Sequence, residues 1–88
     1  MTHRPIATVV QLGGAVATAR TGKSWSQAEL ARKAGVSRAW LIRFESGKET
    51  VEVGRVLAVI ASLDLAVSLV DAPAAAHELD ELLAEYDS

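Results

Sequence analysis

The chain has 88 residues, half of them hydrophobic, with two prolines and no cysteine. This length suits one small domain with a modest core, which would gain stability from a partner subunit. The absence of cysteine excludes disulfides and thiolate metal sites. The early apolar run is short and broken by Gln11 and two glycines. We therefore expect neither a signal peptide nor a membrane span, and a soluble cytoplasmic protein.

The net charge of −2 hides an uneven distribution of charged residues. Residues 1–55 hold all nine basic residues and four acids, which gives +5, whereas residues 56–88 hold seven acids and no lysine or arginine, which gives −7. A basic front and an acidic tail suit a chain with two binding tasks. The simpler alternative is that these charges only solvate helix faces.

The first helix is predicted from Thr8 to about Gly22. Thr8 and Gln11 have the spacing of a capping box. Gly13 and Gly14 each cost about 1 kcal/mol relative to alanine inside a helix, so this helix depends on its packing. Its inward face is predicted to consist of Leu12, Ala15, Val16 and Ala19.

Two short helices are predicted next, joined by a glycine turn. Ser26 and Glu29 form a capping box at the start of the second helix, and Trp25 and Leu30 occupy the positions of a hydrophobic staple. Gly35 suits the left-handed residue after that helix. The third helix is predicted from the N-cap Ser37 to about Ser46, before Gly47. Core residues of this unit are predicted to be Leu30, Ala31, Ala34, Val36, Leu41 and Phe44. Such a pair of helices is typical of a DNA-binding helix-turn-helix motif.

A fourth helix is predicted from about Glu52 to Leu63, with Val53, Val56, Leu57, Ile60 and Leu63 at helical spacing. In the next segment, residues 65–70, apolar residues alternate, and a strand would place Leu65, Val67 and Leu69 on one face. A lone strand needs a partner, so we predict a homodimer with an intersubunit ribbon. The alternative is that residues 65–70 extend the fourth helix.

Residues after Pro73 are predicted to form an acidic amphipathic tail. Leu79, Leu82, Leu83 and Tyr86 recur there at helical spacing among acids. This tail either docks on a partner or stays partly disordered. The predicted organisation is an N-terminal arm (1–7), a helix-turn-helix domain (8–64), a dimerising strand (65–72) and the tail (73–88).

The front of the second helix of such a motif enters the major groove of DNA. This geometry places near base edges Ser37, Arg38, Ala39, Ile42 and Arg43. An arginine can grip guanine with two parallel hydrogen bonds, so Arg38 and Arg43 are predicted to supply most of the sequence readout. Ala39 and Ile42 suit thymine methyl groups. The alternative is that both arginines are solvated surface charges.

Phosphate contacts are predicted from Gln27, Lys48 and Lys23. Gln27 begins a helix, where an amide and the helix N-terminus together can hold an anion. A sequence does not distinguish a lysine that binds phosphate from any other surface lysine, so Lys48 and Lys23 are equally well explained as solvated surface charges. Trp40 follows the readout residues, and the pattern leaves open whether it packs inside or lies on the DNA backbone.

The sequence offers little for catalysis or metal binding. His3 and His77 lie in the segments with the weakest pattern. Glu78, Asp80 and Glu81 stand near His77, but helical spacing spreads them around the axis, which favours a solvated acidic face. We expect no enzyme, no cofactor and no metal.

The chain resembles the Xre-type helix-turn-helix family, whose hallmarks are a Ser-Gln-x-x-Leu-Ala start, a Gly-Val-Ser turn and a later Glu-x-Gly. The matching residues are Ser26, Gln27, Leu30, Ala31, Gly35, Val36, Ser37, Glu45 and Gly47. This resemblance covers residues 8–64, and residues 60–72 are similar to the continuation found in HipB-like antitoxins.

The resemblance implies a mainly helical, lambda-repressor-like bundle that dimerises through its C-terminal strand. It also implies binding to palindromic operators in the chain's own promoter and a complex with a HipA-like kinase toxin. By the family pattern, Gln27 holds phosphate and an ion pair joins Arg20 to Glu45. Two alternatives remain open: a stand-alone repressor without a toxin, and a protein-interaction module that no longer binds DNA.

Overall fold

The computed structural model describes residues 5–48 and 50–72. These contain four helices: α1 (Val9–Gly22), α2 (Gln27–Ala34), α3 (Arg38–Glu45) and α4 (Val53–Ser62). The predicted mainly helical fold, with α2 and α3 as the helix-turn-helix pair, is confirmed. The predicted acidic tail and most of the predicted N-terminal arm lie outside the described residues, and Pro5 to Ala7 precede the first helix.

The start of α1 is capped differently from the predicted box. The Thr8 hydroxyl accepts a hydrogen bond from the Gln11 backbone N–H at 3.1 Å, as predicted. The Gln11 side chain, however, accepts from the Ala7 N–H at 2.7 Å and not from Thr8. The reciprocal bond is therefore shifted by one residue, and it draws the segment before the helix toward its first turn.

The caps of α2 and α3 follow the prediction. Ser26 accepts from the Glu29 N–H, and the Glu29 carboxylate accepts from the Ser26 N–H, which completes the capping box. Gly35 ends α2 in the left-handed region, at φ 71°. Ser37 then accepts from the Trp40 N–H at 3.0 Å and starts α3. These bonds satisfy backbone groups that helix ends leave free, and they fix the direction in which α3 leaves the turn.

All four helices contribute to one hydrophobic core. Helix α2 packs on α3 and α4, and α1 packs on α3. The Trp40 and Phe44 rings stack with their centroids 5.2 Å apart. The expected inward position of Ala15 is wrong, because its side chain is exposed. The buried residues are Val16, Leu30, Ala31, Trp40, Leu41, Phe44, Val56, Val59, Ile60 and Leu63.

Gly13 lies at the closest approach of two helices. A Cβ atom at this position would overlap the backbone carbonyl oxygen of Phe44 in α3. Gly14, next to it, faces open space. The glycine pair therefore has two different roles, and only Gly13 is needed for α1 to pack against α3.

The fourth helix ends at Ser62, and Asp64 turns the chain with φ 59°. The alternative in which residues 65–70 extend this helix is therefore wrong. Of the residues at helical spacing, Val53 and Leu57 are exposed, while Val59, which the spacing did not include, is fully buried. The buried face of the helix is rotated relative to the one that the spacing indicates.

Residues 65–72 carry neither helix nor strand in the described chain. They leave apolar side chains exposed, and Leu69 is the most open, at 95%. Because a strand is defined by its pairing, the predicted ribbon would need a second chain. Among the described residues, no helix is long and apolar enough to cross a bilayer.

Candidate nucleic-acid interface

Helix α3 has one buried and one exposed face. Trp40 and Phe44 are buried in the core. Of the two roles left open for Trp40, the structure therefore shows packing inside the domain. The residues predicted to contact bases all lie on the exposed side: Ser37, Arg38, Ala39, Ile42 and Arg43. This division follows from helical spacing, because residues three and four apart share a face.

The two arginines of α3 are available for an anion. Within residues 5–48 and 50–72, neither Arg38 nor Arg43 lies within 4.0 Å of a carboxylate. Ile42 lies between them in the sequence and is 38% exposed, so an apolar contact is available between the two cationic side chains. Planar guanidinium groups with free donors suit base edges and phosphates.

The Ser37 hydroxyl caps α3 and can still donate a second hydrogen bond. Its hydroxyl oxygen accepts from the Trp40 N–H, while the hydroxyl proton is not used by that bond. A hydroxyl at a helix N-cap can therefore hold the helix and donate to a phosphate or base at the same time.

Behind the exposed face, Arg20 and Glu45 are joined by two hydrogen bonds. Arg20 Nε donates to Glu45 Oε2 at 2.7 Å, and Nη2 donates to Oε1 at 2.9 Å. Arg20 Nη1 also donates to the Trp25 carbonyl at 2.8 Å. The Glu45 side chain is only 5% exposed. This network ties the end of α1 to the end of α3 and to the residue that precedes the α2 cap.

The hydrogen bonds that Arg20 donates to Glu45 raise the pKa of Arg20 above its ordinary value. Partial burial lowers this pKa by less than these bonds raise it, and the negative charge of Glu45 also raises it. Arg20 therefore remains positively charged at any physiological pH. The pair acts as a permanent structural link.

Gln27 is placed differently from a simple phosphate ligand. Its amide Nε2 donates to Glu45 Oε1 at 3.0 Å, which makes Gln27 the third member of this network. A phosphate at the start of α2 would have to use the second amide proton or the backbone N–H groups there. The structure thus holds Gln27 in a fixed orientation at the N-terminus of α2.

The two lysines predicted to bind phosphate have unequal surroundings. Lys23 lies 3.8 Å from the Asp64 carboxylate and 5.2 Å from the centre of the Trp25 ring, so it already has partners. Lys33 lies on the same ring, at 4.8 Å. Lys48 is exposed and has no carboxylate within 4.0 Å among the described residues.

A cleft adjoins the exposed side of α3 at its C-terminal end. Its volume is about 540 Å³. Arg43 and Lys48 bring positive charge to it, and Val51 and Trp40 bring apolar atoms, whereas the Phe44 side chain is fully buried. The full lining consists of Trp40, Arg43, Phe44, Gly47, Lys48, Thr50 and Val51. Sequence reasoning missed this cleft, because Thr50 and Val51 belong to a connection without periodic pattern.

Comparison with known proteins gives the family. The family model described as a helix-turn-helix domain matches residues 11–82. The antitoxin HipB of Escherichia coli strain K12 is 31% identical over 81 residues, which cover 92% of this chain and 92% of HipB. The chain belongs to the HipB-like helix-turn-helix family.

Solved structures of this family superpose closely. The chain has a TM-score of 0.75 and 28% identity to a chain of the HipA-HipB-O2-O3 complex, covering 81% of this chain and all of that one. It has the same TM-score and 30% identity to a chain of the HipB-O4 20mer complex, with the same coverage. The predicted family resemblance is confirmed. The matched relatives are named as an antitoxin and as a helix-turn-helix transcriptional regulator, which agrees with the prediction that the chain is not an enzyme.

Proposed function

We propose that this chain is a homodimeric antitoxin that binds palindromic operator DNA, represses its own operon and forms a complex with a HipA-like kinase toxin. It would act in the cytoplasm, at the nucleoid. The observation that carries the proposal is the exposed side of α3. This side carries two arginines that have no carboxylate partner among the described residues. Helix α3 is held in place by its N-cap, by its buried opposite face and by the hydrogen bonds of Glu45 to α1.

In this proposal each exposed residue of α3 has a defined task. Arg38 and Arg43 read guanines through paired hydrogen bonds, and Ala39 and Ile42 contact thymine methyl groups. Ser37, Gln27, Lys48 and Lys23 hold phosphates and so set the position of α3 in the groove. Since Lys23 already has partners, we expect its contribution to be the smallest of the four.

A dimer is needed for reading a palindrome. Two copies of α3 would enter successive major grooves about 34 Å apart, each reading one half-site. The exposed apolar side chains of residues 65–70 supply a surface on which two strands pair across the two-fold axis. A toxin partner is supported by a related structure in which HipB forms a complex with HipA.

The test of DNA binding is a mobility-shift assay on the region upstream of the gene, at several salt concentrations. We expect affinity to fall steeply with salt, as phosphate contacts release counterions. Arg38→Ala should lose about 1–3 kcal/mol of discrimination at one base position in each half-site. Arg32→Ala is the matched control, since it removes the same charge from α2 without touching α3.

Equal losses of Arg38→Ala on operator and scrambled DNA would contradict base readout by this residue. No shift with any upstream DNA would favour an interaction module instead. The toxin is tested separately, by co-purification with the product of a neighbouring kinase-like gene. A chain that binds its operator but has no such neighbour and no such complex would be a stand-alone repressor.

A further inference from the structure

We propose that the acidic segment of this chain, residues 73–88, docks on the side of α3 that carries Arg38 and Arg43 and in the adjoining cleft. There it competes with DNA. The competition rests on the proposed function, whereas the docking itself does not. We call the side of α3 with Arg38, Arg43 and the neighbouring Lys48 the basic face.

Charge and the adjoining cleft together favour the basic face as the docking site. The segment carries five acids and no lysine or arginine. Elsewhere in the described chain, Arg20, Lys23 and Arg55 already have carboxylate partners within 4.0 Å. Arg32 and Lys33 of α2 have no such partner there, but Lys33 lies 4.8 Å from the centre of the Trp25 ring. The three cations of the basic face have none among the described residues. A row of carboxylates offers them the same anionic, hydrogen-bond-accepting chemistry as a DNA backbone.

The cleft also offers apolar atoms, with which a phosphate makes no favourable contact. Between Arg43 and Lys48 its wall includes Trp40 and Val51. The segment has leucines and a tyrosine at helical spacing among its acids, at Leu79, Leu82, Leu83 and Tyr86. A cleft of mixed polar and apolar lining between two cations is complementary to an acidic amphipathic sequence, because both the apolar and the charged groups find partners.

The segment is long enough to reach the basic face. It contains sixteen residues after Ala72, the last described residue. Extended, sixteen residues span about 53 Å, whereas the largest dimension of the part that the structure describes is 38 Å. Because the segment is covalently attached, its effective concentration near the basic face is on the order of millimolar, so weak contacts suffice.

Docking would set the apparent affinity for DNA. If the segment covers the basic face for about nine-tenths of the time, the apparent Kd for DNA is about tenfold weaker than that of the open chain. The same factor applies to operator and to random DNA, because both need the uncovered basic face. The segment would therefore weaken both kinds of binding without changing their ratio.

The first experiment measures DNA affinity of the full chain with the five acids neutralised: Glu78→Gln, Asp80→Asn, Glu81→Gln, Glu85→Gln and Asp87→Asn. We expect scrambled DNA to bind about tenfold more tightly at low salt, with the gain shrinking as salt screens the contacts. The matched control exchanges each acid for the other acid, which keeps the charge and should change nothing. Unchanged affinity in the neutralised chain would overturn the proposal.

The second variant separates docking from simple repulsion of DNA by a negative tail. Leu79→Ser, Leu82→Ser and Leu83→Ser together leave every charge in place. Docking predicts that this chain also binds scrambled DNA more tightly, by about threefold or more, because the cleft contacts are lost. Repulsion alone predicts native affinity, and that result would overturn the use of the cleft.

The third experiment needs no DNA. The chain has no cysteine, so Ala84→Cys places one spin label in the segment without ambiguity. We expect broadening of amide signals from residues 38–48 at low salt and its loss in the charge-neutralised chain. Broadening centred elsewhere, or none, would overturn the docking even if DNA binding is confirmed. Broadening of these signals in a chain that does not bind DNA would support docking and contradict only the proposed function.

Discussion

At the scale of single residues, two adjacent glycines show how position decides the effect of the same amino acid. Gly13 and Gly14 look alike in the sequence, and each weakens a helix by about 1 kcal/mol relative to alanine. In the structure, Gly13 faces the Phe44 carbonyl at a distance that leaves no room for a Cβ atom, whereas Gly14 faces open space. One is required by packing, and the other is only tolerated.

We therefore expect opposite signs for Gly13→Ala and Gly14→Ala. Gly13→Ala should lower the free energy of unfolding by about 2 kcal/mol, because α1 must move away from α3. Gly14→Ala should raise it by about 0.5–1 kcal/mol through helix propensity. Urea unfolding followed by circular dichroism measures both. Two stabilised variants would show that α1 and α3 do not approach as closely as described.

A second prediction at this scale concerns the network of Arg20, Glu45 and Gln27. Glu45→Gln removes the charge but keeps the shape, and it leaves Arg20 partly buried without a counter-ion, so we expect a loss of about 2–3 kcal/mol. Glu52→Gln is the control. It breaks the exposed Glu52–Arg55 pair and should cost about 0.5 kcal/mol or less.

The pH dependence of this loss follows from the raised pKa of Arg20. A raised pKa means that the stabilisation is fully present below the ordinary pKa of arginine and is lost only above it. The difference in Tm between the native chain and Glu45→Gln should therefore stay constant from neutral to mildly alkaline pH. A difference that disappears within that window would contradict the assignment of the effect to Arg20.

At the scale of elements, serine caps set the two helices of the motif. Ser26 starts α2 with a complete capping box, and Ser37 starts α3 with one hydrogen bond. Both caps were predictable, because the residues involved are three positions apart and act within one turn. The rotation of α4 was not, since Val53 and Leu57 are exposed while Val59 is buried against the other helices. Helical spacing shows which residues can share a face of α4, but packing against the other helices decides which face is buried.

The two caps provide a matched pair of variants. Ser26→Ala and Ser37→Ala should each lower stability by about 1 kcal/mol, because each frees one backbone N–H. Only Ser37→Ala should also weaken DNA binding once both are compared at temperatures well below unfolding, since its hydroxyl lies on the exposed side of α3. Mobility shifts and thermal unfolding on the same samples check this. An equal effect of both variants on DNA affinity would contradict a contact through Ser37.

At the scale of the whole molecule, exposed apolar residues gather after the last helix. Leu65, Val67 and Leu69 are at least half exposed and lie on one face if residues 65–70 form a strand. A small domain rarely leaves so many apolar side chains in one short segment open to water. The proposed ribbon between two subunits would cover them.

Val67→Asp and Ser68→Asp test the proposed ribbon with the same charge on opposite faces. Val67→Asp should shift the chain from dimer to monomer, because it places a carboxylate on the covered face. Ser68→Asp should leave the dimer intact. Sedimentation velocity at several concentrations measures this. A native chain that remains monomeric, or equal effects of both variants, would contradict the ribbon.

The amino-acid sequence by itself determined the four helices, the caps of α2 and α3, the glycine turn and the exposed side of α3. These features depend on residues within about one helical turn, so local pattern carries them. It also placed Arg20 and Glu45 together, but only through the family resemblance.

Tertiary structure decided the features that join distant parts of the chain. Gln27 donates to Glu45, eighteen residues away, Trp40 is buried rather than facing DNA, and Gly13 meets α3. The cleft between Arg43 and Lys48 exists only because the connection after α3 folds beside it. Each of these depends on the relative position of two or more elements, which follows from close packing of the whole core and has no signature at fixed sequence spacing.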